Sequence, residues 1–182
     1  KVIVPCDAYQ AQKATEAAAQ IAGPVYIRLA REKTPVITTS QTPFIPGKIQ
    51  IFWESKKKPQ VAIIACGTLV YNALVAAKEL DKDGIGSIVV NNHTISPMDE
   101  EGIKSVAKKV GAVVTVEEHQ VAGGMGSAVA EVLARKNPVP QEFVGLQGVF
   151  GESGPPDKLI EKYGMGVKDI KMAVKKVIKR KK

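Results

Sequence analysis

Residues 61–92 read VAIIACGTLVYNALVAAKELDKDGIGSIVVNN, and this stretch decides the fold class. It begins with an unbroken apolar run at 61–66, and a second, largely apolar strand is predicted at 85–90. Between the two runs, apolar side chains recur at helical spacing from Leu69 to Leu80, and Gly84 stops that helix. Unbroken apolar strands are typical of strands that are buried on both faces. The stretch therefore predicts a parallel strand–helix–strand unit.

The same alternation of strands and helices continues along the chain. Further strands are predicted at residues 112–116 and 142–144, each separated from its neighbours by a helix with one apolar face. One of these helices is expected to have Ser96 as its N-cap and Pro97 in the first helical position. Residues 48–53 alternate polar and apolar side chains instead, which predicts an antiparallel edge strand. Together these segments indicate an α/β domain with a mostly parallel sheet.

A separate strand–helix–strand unit precedes this domain. Its strands are predicted at residues 2–4 and 25–30, and Asp7 is placed to cap the alanine-rich helix between them. Two strands do not make a stable sheet alone, so we expect this unit to be the trailing part of a larger sheet. Residues 34–48 are rich in threonine and proline and are expected to form a linker. The first residue is Lys1 rather than methionine, so we expect an excerpt of a longer polypeptide.

The net charge of +8 is concentrated at one end of the 182-residue chain. Residues 168–182 contain eight basic residues and one acid, whereas residues 1–167 contain 18 basic and 17 acidic residues. The basic residues lie opposite an apolar stripe on the last helix, without interleaved aromatic residues. A solvated surface helix is therefore favoured over a nucleic-acid-binding one. The two cysteines, Cys6 and Cys66, form no close pair, and no apolar run has the length of a membrane span. We expect a soluble, cytoplasmic protein.

A glycine-rich turn and a histidine are candidates for chemistry. Residues 123–127, GGMGS, follow a strand and open a helix, a geometry that suits a phosphate group. Val129 stands where a dinucleotide fingerprint needs a small residue, and no lysine opens the helix, so a tight turn or a close packing point is favoured. His119 lies at the carboxyl end of a strand, where α/β proteins bind ligands, although a loop or interface histidine is the more ordinary interpretation. Neither His119 nor His93 has a metal-ligand partner at helical spacing.

Two arginines, Arg28 and Arg31, follow the second predicted strand beside the linker. The planar guanidinium of arginine binds a phosphate or a carboxylate through two parallel hydrogen bonds. If the strand continues, alternation places the two side chains on opposite faces, so at most one of them points into a given cleft. A surface ion pair is the competing interpretation.

Four segments resemble successive elements of transketolases. VPCDAYQAQKATEAAAQIAGPVYIRLAREKTPV (residues 4–36) resembles the end of the transketolase pyrimidine-binding domain. Three others resemble elements of the C-terminal domain, namely VVNNHTISPMDEEGI (89–103), VVTVEEHQVAGGMGSAVAEVL (113–133) and FGESGPPDKLIEKYGM (150–165). The resemblance covers essentially the whole chain. Deoxyxylulose-5-phosphate synthases and 2-oxo acid dehydrogenase beta-type subunits share an element of the third segment, so both remain alternatives.

This resemblance implies a three-layer α/β/α C-terminal domain with a mixed five-stranded sheet, one strand of which is antiparallel. Residues 48–53 are the candidate for that strand. The last βαβ unit of a pyrimidine-binding domain would precede it. The expected division is residues 1–40 for the end of that domain and the start of the linker, and residues 41–182 for the C-terminal domain.

The resemblance also implies a function for the enzyme of which this chain is a part. A transketolase transfers a two-carbon ketol unit between sugar phosphates, as in the pentose phosphate pathway, with thiamin diphosphate and Mg²⁺. The residues that bind the cofactor and the metal are expected outside this chain, so the isolated chain is expected to be inactive. Arg31, rather than Arg28, matches the arginine that binds the substrate phosphate. The expected partners are a second copy or an N-terminal transketolase part, and a non-catalytic docking or dimerisation module is a further alternative.

Overall fold

The structure is a computed structural model and describes residues 1–181. Within these residues, strands and helices alternate along most of the chain. The strands are β1 (Val2–Ile3), β2 (Tyr26–Ile27), β3 (Gln50–Glu54), β4 (Pro59–Ala65), β5 (Gly86–Asn91), β6 (Thr94–Ser96), β7 (Val113–Gln120) and β8 (Gln141–Leu146). The helices are α1 (Ala8–Ala19), α2 (Leu69–Lys82), α3 (Glu100–Val110), α4 (Met125–Lys136), α5 (Pro156–Lys162) and α6 (Val167–Lys179).

The larger sheet contains five strands of the described chain in the order β3-β5-β4-β7-β8. β4 pairs in parallel with both β5 and β7, and β7 pairs in parallel with β8. β3 pairs antiparallel with β5 at the edge, for example through Ile51 and Val90. The predicted mixed sheet with one antiparallel edge strand is therefore confirmed. The alternation in β3 fits its place, because an edge strand of this kind buries one face only.

Helices cover both faces of this sheet, which confirms the three-layer arrangement. Successive residues of β4 point in opposite directions, so that Ile63 joins the core under α2 and α6, while Ile64 joins the core under α3 and α4. Both side chains are fully buried. Each contributes about 1.5–3 kcal/mol through removal of apolar surface from water. The continuous apolar runs in the sequence thus reflect a sheet with no solvent-facing side in its centre.

The N-terminal unit is attached to the larger sheet at the carboxyl ends of its parallel strands. β1 pairs in parallel with β2, as predicted, and β1 also pairs antiparallel with β6, giving the order β2-β1-β6. Val4 N donates to His93 O at 2.7 Å, and Gly67 N donates to Val4 O at 3.3 Å. The strand β6, which the sequence analysis did not predict, therefore joins the two parts of the chain.

The predicted start of α3 was wrong. Ser96 ends β6 instead of capping a helix, because its backbone pairs with Val2 of β1. The N-cap is Asp99, whose Oδ1 accepts from Gly102 N at 3.2 Å. Asp99 Oδ2 also accepts from Ile49 N at 3.2 Å, so the same carboxylate attaches the start of α3 to the chain segment before β3.

The linker is held against the N-terminal unit by one carboxylate. Asp7 caps α1 as predicted, with Oδ1 accepting from Gln10 N at 2.9 Å. Asp7 Oδ2 also accepts from Ile37 N at 2.8 Å and from Thr38 N at 2.6 Å, and Oδ1 accepts from Thr38 Oγ1 at 2.7 Å. Residues 34–48 form no helix or strand, yet their path is fixed at this point.

The basic helix α6 packs on the sheet through Ile170, Val174 and Val177, which are buried. Several of its cations pair with acids of the same molecule. Lys171 Nζ lies 2.8 Å from Glu79 Oε2, and Lys176 Nζ lies 2.8 Å from Glu142 Oε2. These pairs support the interpretation of α6 as a surface helix. No helix within residues 1–181 combines the length and the apolar character that crossing a membrane requires.

Candidate functional site

The crevice between β4 and β7 is the place where this topology would accept a ligand. From β4 the chain passes through α2 on one face to β5, whereas from β7 it passes through α4 on the other face to β8. The connections therefore leave two neighbouring strands in opposite directions, and in open α/β sheets ligands bind at such a switch point. Here Val4 and Gly67 meet across this position. The N-terminal unit of the same chain thus covers part of it.

A buried carboxylate fills the N-terminus of α4 beside this crevice. Glu117 is only 2% exposed. Its Oε1 accepts from Gly126 N and its Oε2 accepts from Met125 N, each at 2.7 Å. A helix N-terminus attracts an anion because its first N–H groups lack partners, and Glu117 already supplies that anion. The turn at residues 123–127 therefore does not have the vacant phosphate cradle that its composition suggests.

The glycines of this turn are explained by close contacts. A Cβ atom on Gly124 would lie 2.4 Å from both Gln120 O and Glu117 Oε2. A Cβ atom on Gly126 would lie 2.7 Å from Thr115 Oγ1 and 3.0 Å from Glu117 Oε1. At Gly124 and at Gly126, a Cβ atom would therefore fit only if the backbone or a neighbouring side chain, such as the buried acid, moved. The interpretation of the turn as a close packing point is supported by this geometry.

The surroundings of Glu117 raise the pKa of its carboxyl. Burial is the main cause, and it is opposed in part by the N–H groups of Gly126 and Met125 and by the nearby side chains of His119 and Arg28. Burial, together with the nearby charge of Glu117, also raises the pKa of the Cys66 thiol to about 12. Cys66 is therefore a protonated core residue and not a nucleophile.

The structure separates the two arginines that follow β2. Arg28 is half-buried, its N–H donates to Ile3 O at 2.9 Å, and its charge acts on both Glu117 and Cys66. Arg31 lies three residues later and is exposed. β2 ends at Ile27, before both arginines, so the strand alternation on which that expectation depended does not reach them. Arg28 belongs to the contact between the two parts of the chain, whereas Arg31 faces outward.

His119 and its neighbours form a polar rim around the crevice. His119 is exposed, and its Nδ1 lies 2.9 Å from Gln120 O. Thr68 Oγ1 donates to Glu118 Oε2 at 3.0 Å, which joins the start of α2 to the end of β7. Across residues 1–181, no group of three His, Cys, Asp or Glu side chains has a geometry that could hold a metal ion. The rim therefore offers polar side chains for contacts.

His93 lies outside this region, in the interior between the two sheets. It is fully buried, its ring centroid lies 4.3 Å from that of Phe44, and its Nδ1 lies 2.9 Å from Thr94 Oγ1. Within the described residues its Nε2 has no hydrogen-bond partner. Burial lowers the pKa of His93 to about 4, so the ring is neutral near pH 7. His93 is a structural histidine.

Glu117 was the residue of this region that sequence reasoning did not single out. It directly follows the apolar residues 112–116 and stands a few positions before the glycine turn. An acid at the end of a buried strand, shortly before a glycine-rich helix start, is a pattern that could have identified an internal anion for that helix. No local sequence pattern indicated that Asp7 binds Thr38, because the two residues are far apart in sequence.

Comparison with protein families identifies one domain family along most of the chain. The family model described as "Transketolase, C-terminal domain" matches residues 52–170. The chain is 43% identical over 180 residues to the 6-deoxy-6-sulfo-D-fructose transketolase subunit SqwH of Clostridium sp. (strain MSTE9), covering 99% of this chain and 55% of that protein. It is 37% identical over 183 residues to a putative transketolase C-terminal section of Methanocaldococcus jannaschii, covering 98% of this chain and 56% of that protein.

A solved structure agrees with the fold over the full chain. It is described as a split gene transketolase, inactive beta4 tetramer, and it superimposes with a TM-score of 0.93 at 44% sequence identity. The match covers 100% of this chain and 58% of the other chain. This chain therefore spans slightly more than half the length of the curated relatives named above.

Proposed function

Because the chain belongs to the transketolase family, we propose that it acts as the C-terminal part of an enzyme that transfers a two-carbon ketol unit between sugar phosphates. The observation that carries this proposal is the agreement in fold and sequence over nearly the whole chain with transketolase subunits and sections. The expected division, with residues 1–40 ending a pyrimidine-binding domain and residues 41–182 forming the C-terminal domain, is part of this proposal.

The cofactor of this family would be held by another part of the enzyme. Thiamin diphosphate presents a pyrophosphate and a bound Mg²⁺, which need vacant N–H donors and carboxylate ligands. The glycine-rich helix start of this chain donates its N–H groups to Glu117, and no metal-ligand group occurs among residues 1–181. This helix start therefore does not fit the pyrophosphate of the cofactor. The proposed contribution of the chain is to bind substrate and to associate with the cofactor-binding part.

Arg31 is the residue that we propose for substrate binding. It follows the last strand of the N-terminal unit, it is exposed, and its guanidinium matches a phosphate group in charge and shape. Such a contact positions the substrate and adds binding energy far from the bond that breaks. Arg28 is less accessible than Arg31, since it is half-buried and its charge acts on Glu117 and Cys66. We further propose that the enzyme works in the cytoplasm as a dimer or as a complex with an N-terminal part.

A second substrate class deserves testing because of one comparison. The relative with 43% identity is named for 6-deoxy-6-sulfo-D-fructose, a sugar that carries a sulfonate. A sulfonate is also a tetrahedral anionic group with several oxygen acceptors. An exposed arginine therefore suits both groups, and the second candidate function is ketol transfer from a sulfonated ketose.

The test is an assay of the chain assembled with its cofactor-binding part, thiamin diphosphate and Mg²⁺. Ketol transfer should occur with a phosphorylated ketose donor and an aldose phosphate acceptor, and should be measured in parallel with 6-deoxy-6-sulfo-D-fructose and with pyruvate. The chain alone with the same additions should be inactive. Activity with pyruvate only would favour a deoxyxylulose-5-phosphate synthase or a 2-oxo acid dehydrogenase. Ketol transfer by the chain alone would contradict the proposed division of labour.

A further inference from the structure

The loop between β8 and α5, residues 147–155, carries a fully exposed aromatic side chain. Phe150 is 98% exposed, and Val149 beside it is 46% exposed. We call this segment the Phe150 loop. An isolated exposed aliphatic residue is ordinary, but a wholly solvated phenylalanine next to a second apolar side chain is typical of a protein-binding anchor.

The Phe150 loop is held in one shape by hydrogen bonds from the body of the domain. Gln120, the last residue of β7, donates from Nε2 to Val149 O at 2.6 Å and accepts at Oε1 from Gly148 N at 2.9 Å. Tyr163, directly after α5, donates from its hydroxyl to Phe150 O at 3.3 Å. A loop that is already fixed loses little conformational freedom when a partner binds. These bonds therefore hold the backbone around Phe150 in one conformation before a partner binds.

The exposed part of the loop has almost no net charge. Glu152 is its only ionisable residue, and Glu152 Oε2 lies 2.6 Å from Lys162 Nζ at the end of α5. The tip around Phe150 is thus apolar and electrically neutral, which fits an apolar pocket on a protein rather than a polyanion.

The Phe150 loop and Arg31 belong to the same side of the molecule. The loop follows β8, which pairs with β7 through Leu146 and Gln120 at their carboxyl ends. Arg28 N donates to Ile3 O, and the next residue, Val4, accepts from Gly67 N just beyond the carboxyl end of β4, which pairs with β7. Arg31 lies three residues beyond Arg28. Neighbouring strands are about 4.8 Å apart, and three residues span at most about 10 Å. Both features therefore border the carboxyl edge of the larger sheet.

We propose that the Phe150 loop docks the cofactor-binding part of the enzyme, with Phe150 inserted into an apolar pocket of that part. This inference rests on the proposed function, in which a substrate held by Arg31 must reach a cofactor that the described residues do not hold. The cofactor-binding part must then approach the face that carries Arg31, and the Phe150 loop is the anchored apolar feature of that face. The curated relatives are almost twice as long as this chain, so further residues of the same enzyme are available to approach that face.

The experiment measures the accessibility of position 150 in the assembled enzyme. A Phe150→Cys variant and a Met172→Cys control, which replaces a 53% exposed methionine on α6, are each assembled with the cofactor-binding part and treated with an aromatic disulfide reagent. The natural Cys6 and Cys66 are buried and have thiol pKa values of about 12, so this chain contributes little background. The unsubstituted enzyme gives the background of the other part. Assembly is measured on the same samples by sedimentation.

We expect the thiol at position 150 to react about tenfold more slowly than the control, or the Phe150→Cys variant to fail to assemble while Met172→Cys assembles. Equal reaction rates in two assembled enzymes would overturn the inference. The inference would also be overturned if the thiol at position 150 reacted as slowly in the chain alone as in the assembled enzyme. That result would assign the surface to a second copy of the chain. If the unsubstituted parts neither assemble nor catalyse ketol transfer, the proposed function fails, whereas an active assembled enzyme with a reactive position 150 removes only this inference.

Discussion

Glu117 Oε1 accepts a hydrogen bond of 2.7 Å from the backbone N–H of Gly126, nine positions further along the chain. This bond places a buried negative charge at the positive end of α4. It also occupies the position that an external phosphate would take in many α/β proteins. The carboxyl end of β7 therefore has no vacant anion site at the start of α4. It is instead a rigid support for the N-terminal unit.

Loss of this carboxylate should destabilise the protein. In a Glu117→Ala variant, the N–H groups of Met125 and Gly126 are left without their acceptor in a buried place. We expect the free energy of unfolding to fall by about 2–4 kcal/mol. The matched control is Glu118→Ala, because Glu118 is the next residue and is exposed, and it should cost less than about 0.5 kcal/mol. Urea denaturation of both variants measures the difference, and equal stabilities would contradict the assigned contact.

The close approach at Gly124 should not tolerate a methyl group. A Gly124→Ala variant places Cβ 2.4 Å from Gln120 O and from Glu117 Oε2, so the turn has to move. We expect a loss of about 1–3 kcal/mol in the free energy of unfolding. Gly151→Ala is the control, because no heavy atom lies within 4 Å of a Cβ atom there. A thermal midpoint for Gly124→Ala equal to that of Gly151→Ala would show that the turn is looser than the structure describes.

His93 should make the stability of the protein depend on pH between about 4 and 6.5. Its pKa is about 4 in the folded protein and 6.5 in the unfolded chain, so in this interval the unfolded state binds more protons. The free energy of unfolding should therefore fall as the pH is lowered from 6.5 to 4, by about 3 kcal/mol in total from this residue. Denaturant unfolding at a series of pH values measures this slope.

The two histidines of the chain provide a matched pair for that experiment. A His93→Gln variant should lose the part of the slope that lies between pH 4 and 6.5. A His119→Gln variant should keep it, because His119 is exposed. An unchanged slope in His93→Gln would show that other groups cause the acid sensitivity.

Arg31→Ala in the assembled enzyme should raise KM for phosphorylated substrates. A charge-assisted phosphate contact contributes about 1.5–3 kcal/mol, which corresponds to an increase of about tenfold to a hundredfold. The KM of an Arg31→Lys variant should lie between the values of the unsubstituted enzyme and of Arg31→Ala. Lysine keeps the positive charge but cannot form the two parallel hydrogen bonds of arginine. An unphosphorylated substrate should show no change in KM, and Lys33→Ala serves as a control at a nearby exposed cation. If KM for the phosphorylated substrate does not change, Arg31 is not the phosphate ligand.

The parts of the fold that follow from local pattern could be predicted. Residues 61–66 and 88–90 are continuous apolar runs within or next to β4 and β5, and the helix between them shows one apolar face. Residues 61–92 alone therefore predict that these elements are buried. Asp7 was also predicted as an N-cap, because capping involves residues only three positions apart. In such cases the residues that interact are close in sequence.

The parts that depend on distant pairing could not be predicted. Ser96 is a residue type that commonly caps helices, but its backbone pairs with Val2 of β1, more than 90 residues earlier, and this contact prevails over the local signal. The contact between Glu117 and the start of α4 required the path of the turn as well as the residue types. Arg31 was singled out from Arg28 by resemblance alone, and its role stays a prediction.

The pairing of β1 with β6 has a consequence for how the chain folds during synthesis. Ile3 pairs with Thr94, about 90 residues later in the chain. At about 5–20 residues per second, β1 leaves the ribosome on the order of 5–20 s before its antiparallel neighbour is made. During that interval β1 lacks β6 as a neighbour, and an unpaired strand edge favours aggregation. The N-terminal unit therefore reaches its final form only after the first half of the larger sheet has been synthesised.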